Sequence, residues 1–247
     1  VVDGYFKTDE EARNYKVDQS FVNQMINASA LDNGLHAGDL KFVDLDGNNK
    51  IEQTTSANDR KDMKVIGNSL PRYNYNLGIS ADWYGIDFSV LFQGIGKQNW
   101  YPGAETSMFW GPYSRPYASF IPSDFMSQVW SEENSNAYFP RPRGYVALGS
   151  NRELAVVNTK YLQNLAYCRL KNLSIGYTLP DKWLSKIGFE KIRVYFSGEN
   201  LLTFTKLHSD YIDPEQASAS NSWKTSKSDA NIYPWAKTYS FGVDITF

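Results

Sequence analysis

The last nine residues, Tyr239-Ser-Phe241-Gly-Val243-Asp-Ile245-Thr-Phe247, alternate strictly. Every second side chain is large and apolar or aromatic, and those between are small or polar. Successive side chains of a strand point to opposite faces, so the run predicts a strand with one greasy and one polar face. The same pattern predicts a hairpin over 72–98. On its first arm Tyr73, Tyr75, Leu77, Ile79, Ala81 and Trp83 share one face, against Asn74, Asn76, Gly78, Ser80 and Asp82. Tyr84-Gly85 forms the turn. On the second arm Ile86, Phe88, Val90 and Phe92 oppose Asp87, Ser89, Leu91 and Gln93. A second hairpin is expected over 164–205. There Leu173, Ile175, Tyr177 and Leu179 alternate with Asn172, Ser174, Gly176 and Thr178, and Ile192, Val194 and Phe196 alternate with Arg193, Tyr195 and Ser197. Between them, Pro180 to Leu184 starts a short helical turn that runs to Gly188.

The length of the first arm separates two architectures. The steps from Tyr73 to Trp83, at ~3.3 Å each and a tilt of ~40°, rise roughly 25 Å, the height of a membrane barrel's apolar band. A sandwich strand is about half as long. Ending the chain on an aromatic strand also suits a barrel, whose last strand shows its apolar face to lipid. The expected lipid-facing set is Tyr73, Leu77, Ile79, Trp83, Phe88, Val90, Ile175, Val194, Phe241, Val243, Ile245 and Phe247. Five strands are too few to close such a barrel, whose minimum is about eight.

The remaining stretches break the pattern. Residues 1–35 suggest loop and short helices, one capped at Thr8-Asp-Glu-Glu11, with apolar residues at Val17, Phe21, Val22, Met25 and Ile26. Residues 1–71 as a whole are read as an extracellular loop and short-helix region. Residues 72–247 are read as barrel strands with long loops at 99–163 and 206–235. The first of these loops holds a candidate helix from Ser123 to Trp130 with Ser123 as N-cap. Loops of this length are usually functional.

Composition narrows the classes. A net charge of -2 does not suggest a nucleic-acid partner. No apolar run approaches the roughly 20 residues of a membrane helix. Tyrosine (17) outnumbers phenylalanine (14), with 7 tryptophans besides, which suits either a membrane interface or a sugar-binding β domain. The single cysteine, Cys168, forbids an internal disulfide. Val1-Val2-Asp3-Gly4 does not read as a signal peptide, so either targeting information has been removed or the chain starts internally.

Several stretches resemble the C-terminal third of SusC/RagA-type TonB-dependent outer-membrane transporters of Bacteroidota. They are Gly38 to Gly47 with Asn58-Asp59-Arg60 and Val65 to Asn68; Tyr84 to Gly94; Arg169 to Pro180; Arg193 to Thr205 with Tyr211 to Pro214; and Tyr233 to Gly242. They cover most of 36–247 in the family's order. The resemblance implies the C-terminal strands of an all-β, 22-stranded antiparallel transmembrane barrel with long extracellular loops. It implies import of oligosaccharides or peptides across the bacterial outer membrane. It also implies a SusD-like surface lipoprotein, outer-membrane lipid, the rest of the barrel and TonB as partners. A plug domain and a TonB box are absent from these residues, so coupled transport would need the rest of the protein.

Candidate chemistry is sparse. Asp44-Leu-Asp46-Gly-Asn48 places oxygens at alternate positions as in a calcium loop, and Asp59 is the later candidate ligand, for Ca2+ or Mg2+. The pattern departs at Asn49, where the turn glycine belongs, and at Thr55, where a bidentate Glu belongs. The bland reading is an Asx-rich turn capping its own amides. Trp100, Tyr101, Trp110 and Tyr113 are candidates for substrate or partner contact, against packing within their loop. Catalysis is not expected: His36 and His208 lack metal-ligand spacing, and no nucleophile elbow is present. The rivals are a secreted carbohydrate-binding β-sandwich and a small porin. The sandwich would be soluble without detergent and bury both Tyr73 and Trp83 in a core; Leu77, Ile79, Phe88 and Val90 facing a water-soluble interior would exclude the barrel.

Overall fold

A computed structural model describes residues 1–22, 34–54, 56, 58–114, 121–142, 144–149, 152–185, 188–220, 227–228 and 233–247. In chain order the elements are β1 (Val2–Tyr5), α1 (Asp9–Arg13), β2 (Leu40–Phe42), β3 (Asn74–Trp83), β4 (Ile86–Ile95), β5 (Asn99–Pro102), α2 (Ser107–Trp110), β6 (Gln163–Asn164), β7 (Tyr167–Thr178), α3 (Asp181–Leu184), β8 (Lys191–Thr205), α4 (Pro214–Ser220), β9 (Lys227–Ser228) and β10 (Thr238–Thr246). They fall into two units. One comprises Val1–Asn68, Trp100–Gln163 and Ser220–Asn231, and the other Ser69–Asn99, Asn164–Ala219 and Ile232–Phe247.

The second unit is built on one antiparallel sheet in the order β10-β8-β7-β4-β3. The alternating runs are its strands. Tyr84 (φ 48°) and Gly85 (φ 84°) both adopt the left-handed conformation that a two-residue hairpin turn requires. The register stacks like with like. Ala81, Phe88, Ile175, Phe196 and Phe241 form one apolar row, and Trp83, Ile86, Tyr177, Val194 and Val243 form the next. On the opposite face Ser80, Ser89, Ser174, Ser197 and Ser240 lie in a row.

A bulge interrupts both pairings of β7. Leu91 pairs with Asn172 but Phe92 pairs with Leu170, so Lys171 is the extra residue. Facing it, β8 inserts Asn200 and Leu201, with Asn200 at φ 54°. One added residue reverses the alternation beyond it. Uninterrupted, the period that points Leu173 and Ile175 to the apolar face would send Lys171 and Arg169 there too. The bulge instead aligns Arg169 with Gln93 on the polar face.

In the first unit β1 pairs antiparallel with β2, a contact between distant segments that local pattern did not indicate. Helix α1 starts as expected: Thr8 Oγ1 accepts from the Glu11 amide, and Glu11 accepts from the Lys7 amide. The Ser123 helix needs correction. The structure forms a 3-10 helix at Phe125–Gln128 preceded by Asp124, with no side-chain cap. Met25 and Ile26 lie outside the described residues. The core of this unit is aromatic: Trp110, Phe139 and Tyr161 are fully buried and stack or meet edge-on, with Phe109 and Tyr113 around them.

Candidate functional site

The sheet's apolar face is its most unusual surface. Leu77, Ile79 and Trp83 on β3, Ile86 on β4, Ile175 on β7, Val194 on β8 and Phe241, Val243 and Ile245 on β10 are all exposed. Phe241 and Phe247 each show 83% of their surface, and Tyr73 is exposed as well. Phe88 and Val90 are partly buried. A soluble monomer rarely exposes apolar area on this scale. The face spans all five strands without a charged side chain in the paired rows.

The polar face carries two ion clusters. Arg193 donates through Nε and Nη2 to Asp87 at 2.7 and 2.6 Å, and through Nη1 to Asp244 at 3.3 Å. Gly176 lies between Asp87 and Tyr195 in the register and leaves the space these groups occupy. The second cluster gathers Arg169, Lys171, Asp213 and Glu215 at the bulge. Sequence reading missed it, because alternation alone assigns Arg169 to the wrong face.

The aromatic contact candidates do not form a surface. Trp100, Tyr101, Trp110 and Tyr113 are each at most 1% exposed. Their polar tips are engaged inside: Trp110 donates to the Gly103 carbonyl at 2.9 Å, Tyr113 to Pro140 at 2.6 Å and Tyr101 to Leu154 at 2.8 Å. They pack their unit and, as placed, present nothing to a ligand. Burial also pushes the hydroxyl of Tyr138 up to about 12 and that of Tyr161 well above its ordinary value. Both phenols therefore keep their protons at neutral pH. Burial lowers Lys160, whose ammonium lies 4.5 Å from the Tyr5 ring centre.

The acidic turn closes on itself. Asp44 accepts from the amides of Gly47 and Asn49, both at 2.7 Å, and Asp46 from the amide of Asn48 at 3.1 Å. The Asn48 side chain accepts from the Lys50 amide. Asp59 is not in the group; it pairs with Lys61 at 3.4 Å. The third carboxylate is Asp62, which accepts from Leu45 and Glu52 at 2.7 Å each. Asp44, Asp46 and Asp62 bring oxygens within 4.8 Å of one another, a spacing able to hold a divalent cation.

No family profile matches the chain. Curated proteins of Formosa agariphila do. TonB-dependent receptor P3 is 31% identical over 212 residues, which is 83% of this chain and 19% of that protein. The chain belongs to the TonB-dependent receptors. TonB-dependent receptor P26 is 25% identical over 90% of this chain and 21% of its own length. The chain thus spans about a fifth of the curated receptors it matches. Among solved structures, the RagAB peptide transporter aligns at TM-score 0.50 and 23% identity, over 72% of this chain and 17% of that one. The RagAB peptide importer in its open-open state aligns at TM-score 0.51 and 21% identity, over 79% and 19%. At these identities the likeness is one of fold. It places this TonB-dependent receptor sheet beside those of known importers, with both of its edges unclosed among the described residues.

Proposed function

We propose that this segment forms strands and extracellular loops of a 22-stranded TonB-dependent outer-membrane importer of oligosaccharides or peptides. The carrying observation is the two-faced sheet: exposed apolar rows on one side, serines and ion pairs on the other. Lipid covers the first face and the barrel interior holds the second. The connections support the same orientation. Those at 84–85 and 179–190 are short, and those at 96–166 and 206–237 are long, as periplasmic turns and extracellular loops are. A sandwich would cover the apolar face; here it is open. Residues 1–71, 99–163 and 206–235 stand outside the membrane in this reading, and Asp44, Asp46 and Asp62 hold a calcium or magnesium ion. The rest of the receptor supplies plug and TonB contact, and a SusD-like lipoprotein caps it. The segment lines a route and catalyses nothing.

The test is fractionation and pull-down of the whole receptor. It should sediment with the outer membrane, need detergent for release and bring a surface lipoprotein with it. Release by salt alone would overturn the reading.

A further inference from the structure

The cluster at the β7 bulge fastens a distant part of the chain. Arg169 is 2% exposed, and each side of its guanidinium is used. Nε donates to Thr203 Oγ1 at 2.9 Å, Nη1 to Glu215 at 2.6 Å and Nη2 to Asp213 at 2.6 Å. Lys171 donates to both oxygens of Glu215 at 3.1 Å. Two cations meet two carboxylates, so the cluster is neutral as a whole.

Asp213 ties three segments together. Its Oδ1 accepts from the amides of Glu215 and Gln216, capping the start of α4. Its Oδ2 takes the Arg169 guanidinium and also the Trp235 amide at 3.4 Å. Trp235 in turn lies with its ring 5.0 Å from the Lys171 ammonium. Residues 206–217 leave β8, and 233–237 lead into β10. Both feet of the connection are therefore anchored on one strand, beside the polar face. Charge-assisted, forked contacts of this kind fix geometry as well as energy.

We propose that Arg169 and Lys171 act as a clasp that holds down the two feet of the β8–β10 connection, 206–217 and 233–237, so that these feet form fixed walls beside the route along the polar face. This rests on the importer reading, in which that face lines the barrel. The clasp explains why the bulge exists: without it these two cations would point to the apolar side.

The experiment uses the whole receptor carrying Arg169→Met, and separately Asp213→Asn with Glu215→Gln, which leaves the sheet untouched if the first variant folds poorly. Amide exchange is followed over 207–217 and 233–237. Maleimide labelling is followed at Asn172→Cys in a Cys168→Ser background. Breaking a buried pair should speed exchange at both feet together by about a hundredfold and speed labelling at 172. Unchanged exchange overturns the clasp. So does faster exchange with unchanged labelling, which would make the cluster a stabilising contact only. A receptor that fails to fractionate with the outer membrane would sink the underlying reading instead, whatever the exchange shows.

Discussion

Arg193 reaches Asp87 across an intervening strand, and only the missing side chain of Gly176 lets it do so. A Cβ on Gly176 would stand 2.5 Å from Asp87 Oδ1 and 2.6 Å from Arg193 Nε. Gly176→Ala should therefore displace the pair; the crowded atoms are the tips of two flexible, partly exposed side chains, so the cost should be about 1 kcal/mol, the worth of such an ion pair. Gly144 meets nothing within 4 Å and has no positive φ. Gly144→Ala should be neutral or stabilising by up to ~1 kcal/mol. Denaturant titration of the receptor in micelles compares the two; equal effects would refute the packing argument.

The aromatic core predicts a steep contrast between rings. Phe139 is 1% exposed and touches Phe109, Trp110, Tyr113, Phe125 and Tyr161. Phe139→Ala should cost about 3–5 kcal/mol. Tyr233 is 85% exposed, and Tyr233→Ala should stay within about 0.5 kcal/mol. The same unfolding measurement decides.

Acid should loosen α1. The Lys7 amide holds Glu11 below its ordinary value of 4.5, and Lys41, 3.0 Å away, adds to this. The folded state thus binds this proton less tightly than the unfolded one. The contribution is complete above pH 4.5 and fades as pH falls through the depressed folded value. Exchange protection of the Lys7 and Glu11 amides should drop over that window. In Glu11→Gln it should be weaker at neutral pH and flat with acid.

Charge placed on opposite faces of β3 should behave oppositely. Ile79→Arg puts a cation on the face proposed for lipid and should cost about 2–4 kcal/mol near mid-membrane. Ser80→Arg, one residue on, faces the polar side and should cost far less. The folded fraction in lipid bilayers is the measure, and equal losses would contradict the facing.

The acidic turn should answer to calcium. Three carboxylates this close repel unless an ion or a proton intervenes. Calcium at about 1 mM, suited to an extracellular site, should raise the receptor's thermal midpoint. Asp46→Asn should abolish the rise. No change in the unsubstituted protein would leave only an amide-capped turn.

Alternation made the sheet legible, because a period of two is written locally. Residues 74–83 and 238–246 follow it without interruption, and 86–93 follow it except at Leu91. It failed where one residue changed phase: Lys171 hid Arg169's true side, and with it the cluster holding Asp213 and Glu215. The first unit was less legible for another reason. Nothing near Trp110 distinguishes a ring that packs from one that binds, since its burial depends on Phe139 and Tyr161 far along the chain. Asp62 was passed over likewise, because the calcium-loop template sought its last ligand nearer Asp44.

The sheet's two edges carry a counting rule. In the order β10-β8-β7-β4-β3 direction reverses at each step, so β10 and β3 run the same way. Any ring that closes them with antiparallel neighbours throughout must add an odd number of strands. An even number would force one parallel seam. A 22-stranded ring satisfies this arithmetic, and an odd-stranded one with every seam antiparallel does not.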